Sequence, residues 1–196
     1  MPLLTKYFYE QCTLEPTNQY IETGCYLGNG VKEVRDHYKK TFSIELSIKW
    51  YEHNVEQFKD DQRVIICHGD SKKLLPNLLN LIQEPVTIYL DAHYSGGTTA
   101  FGEEETPLLK ELEILKERNF DDIIIIDDCR LLGKAGYCGI SPEDPIYPTM
   151  HFDWTNITGD AIKARIKSNY KALLNHARAF SNGPEDQLIL APIRGD

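Results

Sequence analysis

The stretch Gln19-Tyr20-Ile21-Glu22-Thr23-Gly24-Cys25-Tyr26-Leu27-Gly28-Asn29-Gly30, with Ser43-Ile44-Glu45-Leu46 further on, decides how the rest of the chain reads. A short apolar strand ends in an acid, glycines then let backbone N–H groups come close to a ligand, and a helix starts near Val31. A second strand, Thr41 to Leu46, brings a second acid, Glu45, to where one carboxylate can accept from both hydroxyls of a ribose. This is how an α/β sheet binds a nucleoside. The glycine spacing narrows the choice of nucleoside. A dinucleotide fingerprint needs G-x-G-x-x-G, whereas here Tyr26 stands where the second glycine belongs, between Gly24 and Gly28. A tyrosine there keeps a pyrophosphate off the backbone and counts against NAD and FAD.

Outward from this loop, strand and helix alternate. The first strand spans Gln19 to Thr23 and its helix Val31 to Lys40. After the second strand, Ser47 can cap a helix whose apolar stripe is Ile48, Tyr51, Val55 and Phe58, read as core. A third strand, Val64 to His68, passes through Gly69-Asp70-Ser71 into a helix lined by Leu74, Leu75, Leu78, Leu79 and Ile82. A fourth, Val86 to Leu90, ends at Asp91. Thr106-Pro107 then opens a helix carrying Leu108, Leu109, Leu112 and Leu115. A fifth strand, Ile123 to Ile126, ends at Asp127. Near the end, Ser181 to Asp186 is a turn signal between two strand-like segments, Lys171 to Phe180 and Gln187 to Ile193, though Tyr170 to His176 also reads as a helix. The expected fold is a three-layer α/β sandwich, with a mostly parallel, seven-stranded Rossmann-like sheet closed by an antiparallel C-terminal hairpin.

The 196 residues read as a single domain over 1–196, and the formal charge of −9 gives little grip on a nucleic-acid backbone. A small molecule is the expected partner, with no nucleic acid and no membrane. No stretch approaches the roughly 20 apolar residues of a membrane span, and the N-terminus lacks the build of a secretory signal, so the expected location is cytoplasmic. Five cysteines, Cys12, Cys25, Cys67, Cys129 and Cys138, form no C-x-x-C pair and read as reduced thiols.

Glu22-x-Gly24-x-x-x-Gly28 after a strand resembles motif I of the class I S-adenosylmethionine-dependent methyltransferases, and Glu45 resembles their acid after the second strand. The reversed last strand is similar too, which extends the resemblance from Tyr20 to Ile193. It implies a transferase whose cofactor, S-adenosylmethionine, is held by Glu22, Gly24, Gly28, Gly30, Glu45, Asp70, Ser71 and Asp91. Asp70 would accept from the adenine amino group, while Asp70 and Ser71 are equally good helix caps.

At the ends of the fourth and fifth strands, Asp91 and the pair Asp127-Asp128 should meet at one sheet edge, and three carboxylates that close repel. Protons or a cation must offset the repulsion, and oxygen ligands suit Mg²⁺, Mn²⁺ or Ca²⁺. The pattern resembles the metal-dependent O-methyltransferases of the catechol, caffeoyl-coenzyme A and macrolide-sugar kinds, with Asp91, Asp127 and Asp128 as the metal ligands. His93 is the candidate base beside Asp91, since an imidazole of ordinary pKa about 6.5 titrates in the useful range. The catechol type carries a lysine three residues past its aspartate and this chain has Tyr94, whereas the sugar-modifying relatives use a histidine. That difference directs the expectation to a hydroxylated, sugar-like acceptor.

Two loops are expected to shape the substrate pocket. One is Tyr94 to Gly102, followed by Glu103, Glu104 and Glu105 as a further ligand or a solvated helix start. The other runs from Arg130 to Thr158, with Tyr137, Tyr147, His151, Phe152 and Trp154 suited to a sugar, a planar ring or a homo-oligomer contact. The function expected is methyl transfer to a hydroxyl of a small molecule, assisted by a divalent metal. The alternatives are a different metal-dependent reaction on the same fold, hydroxylase- or lyase-like, and a non-catalytic adenosyl-binding or assembly protein.

Overall fold

The structure is a computed structural model that describes residues 14–144, 148–174 and 186–193. In chain order its elements are β1 (Gln19–Thr23), α1 (Asn29–Val34), β2 (Lys40–Glu45), α2 (Ile48–Phe58), β3 (Val64–His68), α3 (Ser71–Leu81), β4 (Val86–Leu90), α4 (Leu108–Lys116) and β5 (Ile123–Ile126). There follow β6 (Ala135–Cys138), β7 (Met150–Asp153), α5 (Gly159–Lys163), β8 (Tyr170–Leu174) and β9 (Leu188–Pro192).

Seven strands form one sheet in the order β3-β2-β1-β4-β5-β9-β8, and β6 pairs with β7 apart from it. The first five run parallel, while β9 runs antiparallel to both β5 and β8. The central strands are apolar on both faces because helices cover both. Successive residues alternate between the two. Tyr20, Tyr89, Ile123 and Ile125 meet Val34 and Tyr38 on the α1 side, and Ile21, Ile88, Ile124 and Ile126 meet the leucines of α3 and α4 on the other. The expected architecture, a Rossmann-like sheet with a reversed last strand slotted beside the fifth, is the one observed.

Three expectations change. The first helix ends at Val34 rather than Lys40, because the chain turns there and sends Tyr38 back into the core, 5.1 Å from Tyr20. On α2 the stripe is not all core: Ile48 and Val55 are 53% and 41% exposed, and the buried residues are Asn54 and Phe58. Asn54 faces inward because its amide donates to the carbonyls of Tyr26 and Trp50, at 2.6 and 2.8 Å. The segment from Arg130 to Thr158 is not a plain loop, since β6 and β7 pair within it and Phe152 and Trp154 are buried. Of its other aromatics, Tyr137 is exposed against His151, and Tyr147 lies outside the described residues. Of the two readings of the segment after Asn169, the strand is the one observed, over Tyr170 to Leu174; the turn from Ser181 to Glu185 lies outside the described residues, as does Cys12. Among the described residues no helix is long and apolar enough to cross a membrane.

Candidate functional site

The strand order reverses between β1 and β4, whose connections leave the sheet in opposite directions, and a crevice opens at their carboxyl ends. Its volume is about 380 Å³. Glu22, Gly24, Gly30, Glu45, Asp70, Ser71, Asp91, His93, Asp127 and Asp128 all line it. Gly28 stands behind the wall in a left-handed conformation at the start of α1, where an added Cβ would collide with the Asn54 Oδ1.

The glycine loop forms one wall. Gly24 has φ 84°, and a Cβ there would lie 2.6 Å from the carbonyl oxygen of Asp91, so the loops after β1 and β4 touch through backbone alone. Tyr26 also takes a positive φ, of 46°, and its ring meets Trp50 edge-on at 4.7 Å. Glu45 holds this turn in place. Its carboxylate accepts from the N–H groups of Cys25 at 3.0 Å, Tyr26 at 2.9 Å and Ser47 at 2.7 Å. Asp70 caps α3 by accepting from the Lys72 N–H at 2.9 Å, and it faces the crevice while doing so. Glu22 lies at the base, receiving the Ser43 hydroxyl at 2.9 Å, and burial pushes its carboxyl up to about 8.

The ends of β4 and β5 form the other wall. His93 stands between two acids, with Nδ1 3.3 Å from Asp91 and Nε2 2.9 Å from Asp128; the Ser95 hydroxyl is 2.8 Å from the same Nε2. Arg130 donates to both Asp128 and Asp186. Side chains of alternating charge thus run across this edge. Burial alone would discharge His93, but Asp128 and Asp91 outweigh it and hold the imidazole well above its ordinary range. Burial likewise acts to raise Asp128, and His93 and Arg130 reverse that and keep its carboxyl low. Asp91 is raised by burial, against the pull of His93. Asp127 stands outside the cluster and accepts the Tyr89 hydroxyl.

Ligand atoms of Asp91, His93 and Asp128 lie within 4.8 Å of one another, close enough to surround an ion. A metal, however, needs a neutral imidazole nitrogen and uncommitted carboxylates. Both nitrogens of His93 face carboxylates and Arg130 sits on Asp128, so this donor set fits a divalent ion poorly. The positive charge that repulsion among the strand-end acids demands is supplied here by His93 and Arg130.

Several residues of the site carry no local signal in the sequence. Asn54 and Arg130 reach it through long-range contacts. Glu111 could have been flagged, since it interrupts the leucines on the inward side of α4. Glu105, expected as a ligand or a solvated start, instead accepts from the Trp154 indole at 3.0 Å and fixes the β7 end. Glu103 and Glu104 pair with Lys72.

No known protein family and no curated protein sequence matches the chain. Solved structures do. The glycopeptide N-methyltransferase MtfA in complex with sinefungin superposes with a TM-score of 0.56 at 12% identity, over 97% of this chain and 85% of that one. An rRNA methylase from Streptococcus thermophilus gives 0.51 at 12%, over 98% and 100%. An S-adenosylmethionine-dependent methyltransferase from Clostridium acetobutylicum gives 0.51 at 12%, over 96% and 90%. At such identities the likeness is one of architecture: the chain has the Rossmann-like fold of the class I methyltransferases.

Proposed function

We propose that the chain is an S-adenosylmethionine-dependent methyltransferase that acts on a hydroxyl of a small, sugar-like molecule. The observation that carries this reading is the crevice at the β1/β4 reversal, built from a glycine turn held by Glu45 and lined with acids. S-Adenosylmethionine, when bound, supplies a methyl group on a positively charged sulfur. The donor set fits such a molecule. Gly24 and Gly30 line the crevice at the glycine turn; Glu45 would receive the ribose, and Asp70 with Ser71 the adenine. Glu22 and Asp91 would put negative charge near the cationic end.

Asp91 is the residue we assign to proton removal. Its carboxyl is raised by burial and borders the crevice, so it can accept from a hydroxyl near neutral pH. His93, the base expected from sequence, is held charged by two carboxylates, and its assigned role is to orient Asp91 and to balance charge. No step runs through a metal, since the cluster does not suit one. A net charge of −9 favours a small acceptor over a nucleic acid.

The test is transfer of a labelled methyl group from S-adenosylmethionine to a panel of polyols and glycosides, with chelator or with added Mg²⁺. Labelled ether products at equal rates in both conditions are expected. Transfer only with Mg²⁺ would contradict the charge assignment, and binding without transfer to any hydroxyl would contradict the reaction.

A further inference from the structure

Among the described residues, most buried carboxyls are met by a guanidinium or by several backbone N–H groups. Asp122 is met by Arg118 at 2.8 Å, Asp128 and Asp186 share Arg130, and Glu45 receives its N–H groups. Two acids differ: Glu22, which lines the crevice, and Glu111, which borders a small cavity that shares Asp91, His93 and Asp127 with it. Glu22 is 3% exposed and receives the Ser43 hydroxyl. Glu111 is 1% exposed, is met by the hydroxyls of Ser71 and Thr23, and has an Oε1 with no partner. The other inward residues of α4 are leucines, so an acid there is not a packing choice. Beside it lies a cavity of about 10 Å³, bordered by Glu111, Asp91, Asp127 and His93. That is about the room of one water, and its lining is polar enough to hold one.

A buried carboxyl without a cation sheds its charge by keeping a proton. Glu22 is faced by Ser43 and Glu45 from β2, Asp91 from β4 and Cys25 from its own loop. Glu111 is faced by Ser71 and Asp70 at the start of α3, Thr23 from β1 and Asp91 from β4, with His93 across the small cavity. Among the described residues none of these is an unshared cation, because His93 is engaged by Asp91 and Asp128.

We propose that Glu22 and Glu111 are the proton store of the crevice, releasing a proton when a positively charged ligand enters and taking one back when that charge is lost. The proposal rests on the methyltransferase reading. Its charges balance: the acceptor oxygen bonds the methyl carbon as the carbon–sulfur bond breaks, with that electron pair left on sulfur, and the hydroxyl proton returns to the store by way of Asp91. The crevice then carries the same net charge before and after transfer.

The test needs no acceptor. Titration calorimetry of the whole chain near neutral pH, in two buffers of different ionisation enthalpy, counts the protons exchanged on binding S-adenosylmethionine and S-adenosylhomocysteine. The cationic compound should release on the order of one proton more than the neutral one. Glu22→Gln and Glu111→Gln should each reduce that difference. Equal proton counts for the two compounds in the unaltered chain would overturn the proposal and leave the methyltransferase reading standing. A difference that survives both substitutions would overturn the assignment to these residues. Binding of neither compound would overturn the reading of the crevice and the proposal with it.

Discussion

On one wall of the crevice a single carboxylate, Glu45, gathers backbone N–H groups of the glycine turn; on the other, the ends of β4 and β5 are joined by side chains of opposite charge, from Asp91 through His93, Asp128 and Arg130 to Asp186. The first wall depends on backbone shape. Its glycines are tolerant of pH and intolerant of a Cβ. The second depends on protonation and on partners far apart in the chain. The difference shows how one cleft can set a wall fixed by backbone geometry against one whose charge depends on protonation.

The largest expected effect comes from breaking the backbone wall. Gly24→Ala places a Cβ against the Asp91 carbonyl in a left-handed conformation, and should destabilise the chain by about 2–4 kcal/mol. Chemical denaturation measures it, and a loss under about 1 kcal/mol would mean that the two loops are not in backbone contact. Breaking the charged wall should cost less, because Arg130 is partly exposed. Arg130→Met leaves Asp128 with His93 alone and takes the guanidinium from Asp186, and about 1–3 kcal/mol is expected by the same measurement. A neutral result would show that Arg130 only covers the surface.

A dependence on pH, of opposite sign on the two sides of pH 5, sharpens the contrast. Glu22 and Glu111 are raised from 4.5 to about 8 and about 7, in both cases mainly by burial. The folded chain therefore holds protons that the unfolded chain gives up. Their contribution is complete below the unfolded carboxyl range and is lost as pH rises through about 7 to 8. Asp128 is lowered, so its contribution is present at neutral pH and lost as pH falls below the ordinary carboxylate range. Tm should peak near pH 5 and fall toward both pH 3 and pH 9. Each group contributes roughly 1.4 kcal/mol, before screening, for every tenfold difference in proton affinity between the folded and unfolded chain. Glu111→Gln should flatten the alkaline side alone. A Tm that climbs steadily from pH 5 to pH 9 would contradict the buried, protonated state of these acids.

Much of the backbone wall was legible in the sequence, and less of the charged one. Gln19–Thr23, Val64–His68, Val86–Leu90 and Ile123–Ile126 are strands over the very residues expected, because each is a short apolar run closed by an acid, a glycine or a turn. The acids at their ends were legible for the same reason, and they do line one crevice. Which partner each would take was not. Asp128 meets Arg130 two residues on, but Asp186 arrives from beside β9, and the cations His93 and Arg130 that stand among these acids come from positions the strand pattern does not single out. Tertiary contact also decided α2, where Asn54 is buried in place of Val55 because two loop carbonyls need its amide. The β6/β7 pair escaped notice because its strands are short and separated by prolines and turns.

Whether the crevice at the β1/β4 reversal seats an adenosyl group is decided by titration calorimetry with S-adenosylhomocysteine. Saturable one-site binding of micromolar order is expected, weakened roughly tenfold or more by Glu45→Ala, which removes charge-assisted hydrogen bonds and unties the glycine turn. No heat of binding and no thermal stabilisation by the compound would contradict an adenosyl seat at this crevice.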